Sequence, residues 1–287
     1  MKRLRPSISC LTLVMAVGFI FLLYGIAGAK AYDLVLVHGF LNYHKWSEEL
    51  LDECLKTYGS GKVYAIYLDG SSDLGARTIN GRTLICAGRD SRKAGTEHVA
   101  TQAAYMTDLI AKLQSVKGLR SPFSIIAHSM GGLVARQYAY EHPGKVADIV
   151  CLGTPNHGSQ LADVLGWTAF FTRSRNAMHD LSPGFVDGTF NNNYPVRGIK
   201  FAGSGRLYTI RGNFSGCNSC GSGPIICELV SGYWVLKNIY NYENDGMVPD
   251  YSVLITGGVP IADYAHYDHL DLIRKKEVAA KAMSVLR

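Results

Sequence analysis

Charge is scarce in this sequence. Only 18% of its 287 residues are Asp, Glu, Lys or Arg, and the net charge is a mild +6. No basic patch interleaved with aromatics occurs, so nothing marks a nucleic-acid partner, and no strongly charged partner is implied. No internal repeat is visible either. Cysteine does not supply a metal site: Cys217-x-x-Cys220…Cys227 lies in a Gly/Ser-rich loop with no nearby His. A structural zinc needs four ligands, and this set is incomplete. No strand–helix unit carries the pair as a redox motif, so a disulfide is the better reading.

What is present begins with a leader. Lys2, Arg3 and Arg5 precede an apolar run from about Ile8 to Ala27, closed by Ala27-Gly28-Ala29 or Ala29-Lys30-Ala31. This is the pattern of a signal peptide over residues 1–29. The run approaches spanning length, so an uncleaved N-terminal membrane anchor is the alternative. Either way the body is expected outside the cytoplasm: secreted, periplasmic, or anchored and facing outward. Without the leader, 26 basic residues face 23 acidic ones, about +3, on 258 residues. That length suits a single domain over 30–287, and 47% hydrophobic residues give it ample core. Six cysteines remain, Cys54, Cys86, Cys151, Cys217, Cys220 and Cys227, an even number that fits disulfides in an exported protein. Their pairing is open, and Cys151, inside an apolar strand, reads equally as a buried thiol.

Apolar runs alternate with helical patterns. Strands are expected at Leu34–Val37, Lys62–Leu68, 122–128, Ala147–Leu152 and Leu207–Ile210. Amphipathic helices are expected around Trp46–Leu55, over 97–116, after Ser129, and over 270–286. Strands apolar on both faces and separated by helices imply a mostly parallel, doubly wound α/β sheet covered on both sides. Two stretches break the alternation. Residues 69–95, rich in glycine, read as a long excursion, and 158–206 is too long for a plain connection.

The most informative stretch is Ile125-Ile126-Ala127-His128-Ser129-Met130-Gly131-Gly132. A strand runs straight into small residues around a serine, and a helix follows at once. This is the setting in which a serine sits on a strained strand–turn–helix elbow with its hydroxyl exposed, usually written G-x-S-x-G. Ala127 in the first position is a mild departure, since smallness is the requirement. A serine hydroxyl is a weak nucleophile until a base takes its proton and a third group orients the base. On an α/β-hydrolase sheet the order is serine, acid, histidine. Asp245, in the tight turn Asn244-Asp245-Gly246, is the expected acid, with Asp250 and Asp263 as alternatives. The base is expected at His269, before the last helix, with His266 as alternative. His128 is set aside because neighbours on a tight elbow point apart. The developing oxyanion needs preset donors. The backbone N–H groups of Met130 and of Phe40, in the His38-Gly39-Phe40 turn, fit.

With these residues in view, the chain resembles the secreted bacterial triacylglycerol lipases from about Leu34 to Leu272. His38-Gly39-Phe40 resembles their oxyanion loop, and Ala127–Gly132 their nucleophile elbow. Gly153-Thr154-Pro155-Asn156-His157-Gly158-Ser159 is similar to the strand-end motif that follows. Leu181-Ser182-Pro183 with Phe190-Asn191…Tyr194-Pro195 is similar to the segment after their lid, and Asn244-Asp245-Gly246 and His269-Leu270-Asp271 to their acid and base positions. The resemblance implies an α/β-hydrolase fold with a lid insertion near 158–206, acting on acyl ester lipids at a lipid–water interface. The lid would carry Leu161, Val164, Leu165, Trp167, Phe170 and Phe171. A helix packed permanently on the core is the other reading of that stretch. No cofactor is needed for the chemistry. The resemblance also raises a structural calcium, for which Asp271 matches one ligand position, although Lys275 stands where an oxygen donor is expected. A folding chaperone is a partner left open. An exported thioesterase, phospholipase or acyltransferase would share the same triad, and a catalytically silent lipid-binding protein would share the fold.

Overall fold

Each central strand feeds both layers of the core. In β1 (Asp33–Val37), Val35 and Val37 pack with the helices on one face, and Leu34 and Leu36 pack on the other. The computed structural model describes residues 30–41, 46–165, 174–215 and 224–287. Ala31–Arg287 make one unit, and the expected leader lies outside the described residues. Among those described, no helix is long and apolar enough to cross a membrane.

The sheet has eight strands in the order β3-β4-β2-β1-β5-β6-β7-β8. They are β1, β2 (Val63–Ile66), β3 (Leu74–Ile79), β4 (Arg82–Ala87), β5 (Phe123–His128), β6 (Val146–Leu152), β7 (Leu207–Asn213) and β8 (Val259–Ala265). Every neighbouring pair is parallel except β3–β4. Parallel neighbours need crossover helices, which cover both faces. On one face lie α1 (Glu48–Tyr58) and α7 (Lys276–Val285), burying Leu50, Leu51, Leu55, Ala279 and Met283. On the other lie α2 (Val99–Lys117) and α3 (Met130–Glu141), burying Met106, Leu109, Leu113, Leu133 and Tyr138. The ends of these helices are written locally. The Ser47 hydroxyl accepts from Leu50 N–H at 3.1 Å to start α1, and Gly118, at φ 72°, ends α2 in the left-handed region.

Several expectations need correction. The excursion at 69–95 contains the β3–β4 hairpin, turned by Asn80 (φ 46°) and Gly81 (φ 78°). Asn-Gly is the pair that tight hairpin turns prefer. The last strand, β8, is not among those expected from the sequence, because its half-buried, Pro260-bearing edge lacks a continuous apolar run. The closing helix begins at Lys276, not at 270; a short 3-10 turn, Asp271–Ile273, comes first. Cys54 and Cys86 are free thiols rather than disulfide partners, and Cys151 is a buried thiol. Burial pushes Cys54 up to about 12 and Cys151 to about 11, so neither forms a thiolate at neutral pH. Cys217 and Cys220 lie outside the described residues, as do Trp167, Phe170 and Phe171 of the expected lid. Cys227 falls in α6 (Pro224–Trp234).

Two buried carboxylates tie strand ends to distant segments. Asp33 takes Arg120 at 2.6 Å. Asp148, on β6, takes Arg287 Nε at 2.9 Å, while the same guanidinium donates to the Ala147 and Ala202 carbonyls.

Candidate active site

Parallel strands place their following loops on one edge of the sheet, where sites of open α/β sheets form. Val37 pairs with Ala127, and His128 with Leu152. That register sets His38-Gly39-Phe40 on one side of Ser129 and Gly153 on the other. Ser129 has φ 53° and ψ −131°, a backbone that non-glycine residues rarely adopt. Its N–H donates to the Leu152 carbonyl at 2.8 Å. The small residues answer to close approach. A Cβ on Gly131 would lie 2.2 Å from the His38 carbonyl oxygen, and one on Gly39 would lie 2.6 Å from Ser129 Cβ. Met130 opens α3, so its N–H is among those a helix leaves without an internal acceptor.

Asp245 and His269 are brought together. His269 Nδ1 lies 2.6 Å from Asp245 Oδ2, both side chains are buried, and His269 N–H donates to the Asp245 carbonyl. The other carboxylate oxygen, Oδ1, accepts from the N–H groups of Met247 (2.9 Å) and Val248 (2.8 Å). Those two bonds fix the carboxylate plane, so Oδ2 has one direction in which to hold the imidazole. Gly153, at φ 54°, passes so near that a Cβ would stand 3.0 Å from Asp245 Oδ2. The alternatives point elsewhere. His266 Nδ1 bonds Ser215, and Asp263 pairs with Arg211 at 2.5 Å. His128 braces the base rather than replacing it: its Nε2–H donates to the His269 carbonyl at 3.0 Å, with ring centroids 4.5 Å apart.

Asp250 sits near this pair without joining it. Its Oδ1 is buried with no hydrogen-bond partner among the described residues. Burial pushes its carboxyl up to about 7; Arg211, 3.9 Å away, opposes the rise, while Asp245, Asp263 and Glu243 add to it. The folded state thus holds this proton more tightly than the unfolded chain, whose carboxyl titrates near 3.8. Stability from this group is full below about pH 4 and is lost as pH rises through about 7. Asp250→Asn is therefore expected to raise Tm at about pH 8 and to leave it nearly unchanged at about pH 4. Thermal melts at both values test this, and an equal shift at both would remove burial of the charge as the cause.

His38, absent from the sequence reading as a side chain, holds the loop. Leu68 N–H donates to His38 Nε2 at 2.8 Å, so that nitrogen carries the lone pair. Nδ1 then carries the proton and donates to the Gly39 carbonyl at 2.6 Å. That carbonyl and the Phe40 N–H belong to one planar peptide, so the bond sets the direction of the Phe40 N–H. Gly95 closes over the same peptide, and a Cβ there would lie 2.5 Å from the Gly39 oxygen. Ser129 opens into an apolar pocket walled by Phe40, Leu161, Met178, Leu181, Met247 and Val248. Of the expected lid residues, Leu161 is buried against this pocket on α4 (Gln160–Leu165), and Val164 is exposed. The side chain of Leu165 is not among those described. Met178 and Leu181 belong to α5 (Arg175–Leu181), and no sequence signal marks Met178 as a wall. The Phe190-Asn191 motif is explained by packing. Arg136, buried on α3, lies 4.6 Å over the Phe190 ring and donates to Asn191 Oδ1 at 2.6 Å.

The calcium expectation does not fit the described residues. Asp271 Oδ1 faces Lys275 at 3.8 Å, and Oδ2 accepts from Asp268 N–H. Asp268 Oδ1 in turn accepts from the N–H groups of Leu270 and Asp271. These carboxylates cap a turn beside a lysine, whereas calcium takes six or more oxygens.

Comparison with known proteins agrees with this architecture. The chain is 30% identical over 140 residues to a triacylglycerol lipase of Pseudarthrobacter phenanthrenivorans, covering 47% of this chain and 36% of that one. It is 29% identical over 190 residues to one of Pseudomonas fragi, covering 52% and 64%. The chain therefore spans between about a third and two thirds of the length of these curated relatives. The fold is shared with Bacillus licheniformis lipase BlEst2 in its mature form, at TM-score 0.62 and 20% identity, covering 92% of this chain and 94% of that one. It is also shared with the metagenomic carboxyl esterase MGS0156, at TM-score 0.57 and 17% identity over 91% and 76%. Residues 33–209 match the pattern of the family described as alpha/beta hydrolase fold, and with more than half of the sequence matched, this chain belongs to that family.

Proposed function

We propose that this protein is a serine hydrolase of carboxylic esters with apolar acyl groups, a lipase or esterase. The observation that carries the reading is the buried 2.6 Å Asp245–His269 pair on the strand edge that also carries Ser129 at its strained elbow. His269 takes the Ser129 proton as Oγ attacks the ester carbonyl, and Asp245 stabilises the imidazolium. The N–H groups of Met130 and Phe40 receive the oxyanion. His269 returns the proton to the departing alcohol, leaving an acyl-Ser129, and water, activated by the same base, releases the acid. The triacylglycerol lipases among its relatives and the apolar pocket at Ser129 support acyl lipids as substrates. Exposed Val164, Val230 and Trp234 suit work at a lipid–water interface. No cofactor enters these steps. The leader pattern supports export, which the N-terminal residue of the purified protein tests.

The experiment is hydrolysis of p-nitrophenyl esters from acetyl to palmitoyl. Turnover rising toward long chains supports a lipase, and turnover confined to short ones an esterase. A folded protein that turns over no ester overturns the proposal. Within the same reading, His38→Ala frees the Gly39–Phe40 peptide. It is expected to lower kcat about 10- to 100-fold with KM little changed, since losing an oxyanion donor outright typically costs about 10²–10³.

A further inference from the structure

Away from Ser129, one cluster of side chains has no part in the chemistry above. His98, just before α2, and His179 and Asp180, on α5, offer three ligand atoms that lie within 4.8 Å of one another. Both imidazoles aim the same nitrogen at the same oxygen. His98 Nδ1 is 3.0 Å and His179 Nδ1 2.8 Å from Asp180 Oδ1. The carboxylate is buried, with its side chain 3% exposed, while the two imidazoles are 45% and 63% exposed. Its second oxygen accepts from Val99 N–H at 2.7 Å, which fixes the plane. The His179 ring is held against Phe185 at 5.1 Å.

We propose that His98, His179 and Asp180 form a zinc site. Zinc takes imidazole nitrogen and carboxylate oxygen at about 2.0–2.2 Å, so neighbouring ligands of a tetrahedral ion stand roughly 3.3 Å apart. The two nitrogen–oxygen separations here, 3.0 and 2.8 Å, fall a few tenths of an ångström short of that. One oxygen now receives two N–H donors, and a divalent ion replaces both at once. Each neutral ring then shifts its proton from Nδ1 to Nε2, which leaves the Nδ1 lone pair for the metal. Two nitrogens and one oxygen suit zinc better than the hard cations, which prefer all-oxygen sets. The Val99 N–H serves as the outer bond that orients a ligating carboxylate. A fourth position is left to water. The ion joins the start of α2 to the helix that supplies Met178 and Leu181 to the pocket wall.

The test is titration of the full, chelator-treated chain with cobalt(II), a coloured stand-in for zinc, followed in the visible and then displaced by zinc. One equivalent is expected to bind. His98→Gln and His179→Gln change exposed side chains, and their Tm in chelator reports whether they fold. Each is expected to weaken binding more than 10-fold, because losing even an outer-shell partner costs about 10–100-fold. Zinc is expected to raise the Tm of the parent chain and not of the variants. No saturable binding overturns the proposal. So does binding that survives both substitutions, or a spectrum with thiolate bands, either of which would move the metal to the cysteines.

Discussion

Ser129→Ala is expected to lower kcat for ester hydrolysis by about 10⁶-fold, while Tm stays within a few degrees of the parent. The size follows from serving as the only covalent acceptor, since loss of a triad serine elsewhere costs on that order. Stability should hold because the change removes one oxygen and keeps the Cβ that Gly39 packs against. The strained backbone, φ 53°, is the same for alanine as for serine. Active-site labelling with a phosphonate ester, read by mass spectrometry, gives an independent check: the mass increment should fall on Ser129 and vanish in the variant. Labelling of another residue, or a variant that retains activity, would sink the assignment.

Asp245→Asn should be nearly as damaging, about 10⁴-fold in kcat at neutral pH. The reason is tautomeric. Oδ1 of residue 245 accepts from the N–H groups of Met247 and Val248, so an asparagine must keep its oxygen there. Its amide nitrogen then falls at the present Oδ2 position and donates toward His269 Nδ1. That demands a lone pair on Nδ1 and sends the imidazole proton to Nε2, where the base should accept. Asp250→Asn, a few residues along the chain, serves as the control and should keep kcat within about 2-fold, since Asp250 has no bond to His269. A comparable loss in both variants would mean that general electrostatics, rather than orientation of the base, explains the effect.

The sequence shows this site better than it shows the fold around it, and for a local reason. An elbow such as Ala127-His128-Ser129-Met130-Gly131 needs small residues within a few positions, and Asn244-Asp245-Gly246 needs a glycine at φ 94°. Such requirements are written where they act. The pocket wall is assembled from Phe40, Leu161, Met178 and Met247, which only the sheet order brings together, and an isolated methionine carries no periodic signal. The braces on His38 and on Asp245 come from backbone N–H groups, which are anonymous in sequence. The β3–β4 hairpin was legible in principle, since Asn80-Gly81 is a strong turn pair. Its half-buried Arg77 and exposed Thr78 break the apolar run that marks the other strands. Counting cysteines misled because Cys54 and Cys86 serve as apolar filling and not as cross-links.

The Asp148–Arg287 pair bears on the order of events during synthesis. Asp148 lies on β6 beside the nucleophile strand, buried to 1% exposure, and the cation that compensates it comes 139 positions later. A buried carboxylate without its partner is strongly destabilising. A nascent chain that has made β1 through β6 therefore has reason to leave this layer open until residue 287 has emerged. The closing of this layer is thus timed by Arg287, 139 positions along the chain, rather than by β6 itself.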